Sequence, residues 1–184
     1  MENLKLILVL ISWLNILANS QTQTTRQLTL RNVSIIKLTF YTHPTWIGTN
    51  ETLYSVARAS ITDQVPSRFG VLEVCDVLVT YGPENESKKL GRIQGTATSV
   101  DLKETAFGVM LTVVFTQGEY KGSTINLMGR NPIMNKEREL AVVGGSGAFP
   151  RAWGYAITST YSTDEYGINF VAKYDVVLFN ETYA

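Results

Sequence analysis

Apolar and polar positions alternate along most of this chain in short runs, at 35–42, 53–61, 69–80, 91–100, 107–115, 119–127, 140–143, 152–160 and 168–178. A period of two over runs this short is the mark of half-buried strands, and the runs are rich in Val, Ile, Thr, Tyr and Phe, which suit a pleated surface. Turn-forming clusters separate them: His43-Pro44, Val65-Pro66-Ser67, Tyr81-Gly82-Pro83, Gln117-Gly118-Glu119, Gly144-Gly145-Ser146-Gly147 and a polar stretch after Thr163. Glycine, proline and asparagine at these points turn the chain tightly. No run keeps a helical period beyond roughly two or three turns, so alternating helices and parallel strands are excluded. Eight or nine antiparallel strands must hide their edges, and a closed barrel or a sandwich does so.

The N-terminus breaks this pattern. A short charged start is followed by the apolar run 6–17, with Ala18 and Ser20 placed for cleavage after residue 20. Residues 1–20 therefore read as a secretory signal peptide, too short in its apolar part to span a bilayer. Residues 21–34 are polar and rich in Thr and Gln, and read as a flexible arm. Residues 35–184 read as one all-β domain, a length that supports a single core. The expected product is exported, with no membrane partner.

Charge narrows the functions further. The chain has 16 basic and 16 acidic residues, and a neutral surface with no basic stripe excludes nucleic acid as a partner. The single cysteine, Cys75, forms no intrachain disulfide and sits in an apolar run, as a small buried hydrophobe does. Sequons begin at Asn32, Asn50, Asn85 and Asn180. In an exported protein each is a candidate N-glycosylation site, and Asn50 and Asn85, in polar turns, are the strongest candidates.

Candidate chemistry is sparse. The Gly144 cluster opens no helix and no Lys-Ser or Lys-Thr follows it, so it reads as a tight strand connection rather than a phosphate cradle. His43 and Cys75 are the only soft metal ligands, which is too few for a zinc site, and no calcium loop is spaced along the chain; no metal and no cofactor are expected. No Ser occupies a nucleophile elbow that would pair with His43. Gly129-Arg130-Asn131-Pro132 and Lys136-Glu137-Arg138-Glu139 read as loop segments. There an Arg beside carboxylates can orient a hydroxyl, although composition alone equally describes a solvated charged loop.

Several blocks occur in a fixed order: Thr80-Tyr81-Gly82-Pro83, the run Ser87 to Gly95 (SKKLGRIQG), Val114 to Thr124 (VFTQGEYKGST), Gly129-Arg130-Asn131-Pro132, and Arg138 to Phe149 (RELAVVGGSGAF). Together they closely resemble the signature blocks of the plant dirigent proteins. The resemblance implies a single antiparallel eight-stranded β-barrel, a homo-oligomer (trimer or dimer), and secretion to the apoplast. It implies further that the protein orients phenoxy radicals of monolignols such as coniferyl alcohol for stereoselective coupling in lignan and phenylpropanoid biosynthesis. A separate oxidase or laccase supplies those radicals, so the protein itself would be an auxiliary without independent catalysis.

Active family members usually carry an Asp after the first-strand His, where this chain has Pro44, and a Tyr soon after the Gln-Gly pair, where it has Thr96, Ala97 and Thr98. Asn131 stands where some members have an acid, and Asp76-Val77 replaces a paired Asp-Asp. Trp153 stands in place of an Arg. The resemblance thus offers Arg138, Asn131 and His43 as pocket residues, with Asp76 as a further substrate-binding candidate. The departures leave open a second reading, a non-catalytic barrel that binds a phenolic or a cell-wall glycan.

Overall fold

The computed structural model describes residues 32–165 and 169–182. Residues 1–20, read from the sequence as a signal peptide, and most of 21–34, read as an arm, lie outside the described residues, as does the side chain of Asn32. The described residues form nine strands: β1 (Asn32–Thr42), β2 (Leu53–Ala57), β3 (Leu72–Thr80), β4 (Lys89–Ser99), β5 (Ala106–Phe115), β6 (Thr124–Pro132), β7 (Arg138–Ser146), β8 (Trp153–Thr163) and β9 (Phe170–Thr182). The one helical element among the described residues is a 3-10 turn at Thr62–Gln64.

All neighbours are antiparallel, in the order β1-β9-β8-β7-β6-β5-β4-β3, and β1 pairs back to β3. This is the expected closed eight-stranded barrel, and closure leaves few free edges. The ninth strand, β2, explains the ambiguity in the strand count. The edge of β3 is shared: β1 pairs with it through Tyr41↔Thr80 and Thr42↔Val79, and β2 through Leu53↔Cys75 to Ala57↔Leu72. Between these segments the ladder is carried by the His43 amide donating to Leu78 O and the Asp76 amide donating to Thr52 O. β1 and β2 thus act as one strand interrupted by an excursion of the chain, and that excursion carries Trp46 toward the barrel's open end.

Inward positions follow the pleat. Val109, Leu111, Val113 and Phe115 of β5 are buried while Met110 between them is 59% exposed. One end of the barrel is plugged by Phe115, Tyr120 and Phe149, with ring centroids 4.9–6.0 Å apart. Truncating Phe115 to Ala would cost roughly 3–5 kcal/mol, as for other fully buried aromatic rings. Glycine matters where strands crowd: at Gly95 of β4 φ is +151°, and a Cβ there would lie 2.0 Å from Met110 O, so no other residue fits without moving β5.

Several sequence boundaries shift. The arm ends sooner than residue 34, because Asn32, Val33 and Ser34 pair with Thr182, Glu181 and Asn180. β2 stops at Ala57 and does not continue to residue 61. β6 begins at Thr124, since Gly118 and Gly122 adopt φ of +78° and +86° in the preceding turn. The Gly129 to Pro132 segment is the end of β6 and not a loop. Gly144, Gly145 and Ser146 are the last residues of β7, and the register skips Val143 opposite Asn126 and Leu127, which makes a bulge there.

The outer surface carries an apolar row across the ladder. Val74, Thr96, Met110, Met128, Ala141 and Tyr155 are successive cross-strand partners on β3 to β8. Val74, Met110, Met128 and Tyr155 are exposed.

Candidate functional site at the open end of the barrel

Opposite the aromatic plug the strands enclose a cavity of about 500 Å³. Its wall is largely aliphatic and aromatic, from Cys75, Val77, Ile93, Val109, Leu111 and Phe170 among others. A wall of this kind suits a small, largely apolar ligand, with orientation left to a few polar groups. An eight-stranded barrel is wide enough for one small ligand.

Arg138 is the principal polar group. It opens β7, its side chain points inward, and it is 5% exposed. Its Nε donates to Asn131 Oδ1 at 3.1 Å, and its Nη1 donates to Asn135 O at 3.2 Å and to Thr160 Oγ1 at 3.3 Å. It forms no salt bridge among the described residues. Burial lowers its pKa, and the nearby Tyr174 hydroxyl acts in the opposite sense. A guanidinium with neutral partners retains its charge for an incoming oxygen, and its planar fork fixes the direction of approach.

Tyr174 is in the same inward row, reached from Arg138 through Thr158. It stacks on Phe40 with centroids 5.2 Å apart, and burial raises its pKa. Cys75 lines the same cavity. Its thiol is pushed up to about 11 by burial first, then by the nearby Asp76 and Glu73 carboxylates, which makes it a packed hydrophobe and not a nucleophile.

The structure brings Arg138 and Asn131 together in the cavity. His43 and Asp76 are placed elsewhere. His43 follows the inward Thr42 and precedes the inward Pro44, so the pleat turns it out of the cavity. Its Nε2 lies 2.7 Å from Thr80 Oγ1. That hydroxyl donates to Gly82 O at 2.7 Å, so Nε2 carries the hydrogen of the neutral ring. Asp76 alternates outward between Cys75 and Val77, and its carboxylate pairs with Arg92 on the barrel's exterior. Asn50 and Asn85 are exposed in loops, whereas the Asn180 side-chain amide donates to Ala148 O at 2.9 Å.

The departures from the dirigent pattern at Pro44, Ala97 and Asn131 all line this cavity. Pro44 and Ala97 bring no hydrogen-bonding side chain to its wall, and Asn131 brings a neutral amide.

Two residues escaped the sequence reading. Trp46, in the excursion between β1 and β2, packs against Phe170 at 5.4 Å and Phe107 at 6.4 Å between ring centroids. Its Nε1 donates to Glu73 Oε2 at 3.3 Å. Glu73 is only 7% exposed and lines the cavity. In the run LEVCDV apolar residues occupy both faces, which hides the parity. Had Cys75 and Val77 been taken as inward, Glu73 would have followed.

A closed antiparallel barrel with a mostly apolar cavity and a buried guanidinium on its wall defines a class of small-ligand-binding barrels. Residues 35–179 match the family described as Dirigent-like protein, and the chain belongs to that family. It is 42% identical over 143 residues to Dirigent protein 11 of Arabidopsis thaliana, covering 78% of this chain and 73% of that one. It is 36% identical over 144 residues to Pterocarpan synthase 1 of Glycyrrhiza echinata, covering 78% and 77%. The solved structure of a pterocarpan synthase dirigent protein superposes with a TM-score of 0.76 at 34% identity, covering 88% of this chain and 98% of that one.

Proposed function

We propose that this protein binds a phenolic ligand in the barrel cavity and fixes its pose, so that coupling of phenoxy radicals yields one stereoisomer. The observation that carries this reading is the Arg138–Asn131 pair at one wall of an otherwise apolar cavity of about 500 Å³. Coupling of two radicals needs no added electron and meets little barrier, so selectivity rests on orientation. The guanidinium holds the phenolic oxygen while the aliphatic wall restricts the ring. Monolignols such as coniferyl alcohol suit this chemistry, with the radical supplied by a separate oxidase or laccase.

The leader at residues 1–20 supports export to the apoplast, where such radicals are generated, and the exposed Asn50 and Asn85 suit N-glycans there. The apolar row from Val74 to Tyr155 supports a homo-oligomer in which copies of the barrel cover one another's walls.

The test is chiral analysis of coniferyl alcohol coupling by a laccase with and without the purified protein. An enantiomeric excess that appears without change in the oxidation rate is the expected result. Racemic products across a panel of phenols would overturn the steering role, and binding without an effect on the products would identify a binding barrel.

A further inference from the structure

The cavity has a second pole. Glu73 lies on β3 and Arg138 on β7, four places apart in either direction around the eight-stranded ring, so the two residues occupy opposite walls. Glu73 contributes the only carboxylate on the wall of that cavity among the described residues. It also lines an adjoining cavity of about 530 Å³ beneath β2, and Trp46, Leu53 and Phe107 are common to both.

This carboxylate has few direct partners, although Arg58 and Arg68 also line the adjoining cavity. Its contacts are the Trp46 Nε1 donor at 3.3 Å and the Ser55 hydroxyl at 3.5 Å, both at the long end of hydrogen bonding. It forms no salt bridge among the described residues. A carboxylate has about four acceptor positions, and its burial is costly unless those are filled. An arrangement that holds a carboxylate in place and leaves acceptor positions open is suited to a ligand that brings a donor.

We propose that Glu73 is a specificity residue: it accepts a hydrogen bond from a hydroxyl or ammonium group at the end of the ligand remote from the phenolic oxygen held by Arg138. The inference rests on the phenol-binding reading and adds to it the second functional group. The cavity is bipolar, a cation on one wall and an anion on the other, and it selects ligands with an acceptor at one end and a donor at the other. The aromatic faces of Trp46, Phe107 and Phe170 near Glu73 suit an ammonium equally well.

Calorimetric titration of two matched pairs tests this. Coniferyl alcohol differs from isoeugenol by a terminal hydroxyl, and tyramine differs from para-ethylphenol by an ammonium. The wild-type protein is expected to favour the donor-bearing member of at least one pair by about tenfold or more, the scale of a hydrogen bond to a charged group. The pair that shows the preference identifies the donor. In Glu73→Gln the amide oxygen can accept from Trp46 Nε1 while the amide nitrogen donates to the Ser55 hydroxyl, so the fold is retained while the charge is lost, and the preference is expected to fall to within about twofold. Equal affinities within both pairs for the wild type, or a preference that survives in Glu73→Gln, would overturn the assignment and leave phenol binding intact. If none of the four probes binds, the phenol reading itself fails, and this inference with it.

Discussion

The Nε of Arg138 donates to the Oδ1 of Asn131 at 3.1 Å, which joins the first residue of β7 to the last turnward residues of β6 across the cavity's polar wall. This bond orients the guanidinium, and its carbonyl acceptor is neutral. The charge on Arg138 is therefore directed but not cancelled, as a site for a phenolic oxygen requires.

Arg138→Ala should abolish stereoselection and release three hydrogen bonds, two of them to side chains, with a loss of about 1–3 kcal/mol of stability. Arg138→Lys should keep the charge and lose the fork, leaving phenol affinity reduced and selectivity lost. Chiral chromatography of the products and urea denaturation measure the two effects separately. An unchanged product ratio in both variants would remove Arg138 from the site.

Acidification should destabilise the fold through His43. Burial lowers its pKa from the ordinary 6.5, so between the folded and unfolded values the unfolded chain binds the additional proton. Stability is complete above pH 6.5 and declines as pH falls below it. The Asn85 side chain, hydrogen-bonded to the ring, acts in the opposite sense and is outweighed by burial. Denaturation midpoints of wild type and His43→Asn over pH 5 to 8, roughly the imidazole range, should converge at the acid end. A pH-independent difference between them would contradict this.

Cys75 should resist thiol reagents in the native protein. At pH 8 a thiol with a pKa of about 11 is thiolate to only about one part in a thousand, and its burial restricts access as well. Labelling with an aromatic disulfide should be complete only after denaturation, and a bound phenol should slow any native labelling. Rapid native labelling would place the thiol outside the cavity wall.

Met110→Glu combined with Met128→Glu should yield a monomer if the outer apolar row is the contact between copies. Charges at adjacent partners Met110↔Met128 would repel across such a contact while facing solvent in the monomer. Sedimentation velocity measures this; an unchanged sedimentation coefficient would locate any assembly elsewhere.

The sequence pattern made β5 and most of β3, β4 and β9 legible because their alternation is strict where one face is buried. It failed where the site is built. Gly129, Asn131 and Pro132 have poor strand character, yet they continue β6 to the cavity rim, where small and polar residues leave space and supply hydrogen bonds. Trp46 was concealed in a turn signal because only the interrupted ladder of β1 and β2 directs it to the barrel opening. Composition marked the segments holding Arg138 and Asn131 but described a solvated loop equally well, so resemblance was needed to assign them to a pocket, and resemblance gave no indication of Glu73. His43 and Asp76 adjoin cavity-lining residues in the chain, but a strand sends neighbours to opposite faces.

β3 owes its edge to two partners, and β2 holds the part that bears Glu73: Ser55↔Glu73 is one of its register pairs. Ligand affinity and the docking of β2 are therefore thermodynamically linked. Any substitution that loosens β2 must weaken a ligand bound at Glu73, and the ligand must return that free energy as slower amide exchange along residues 72–75. The short clasp at the barrel's seam makes ligand occupancy readable as backbone protection.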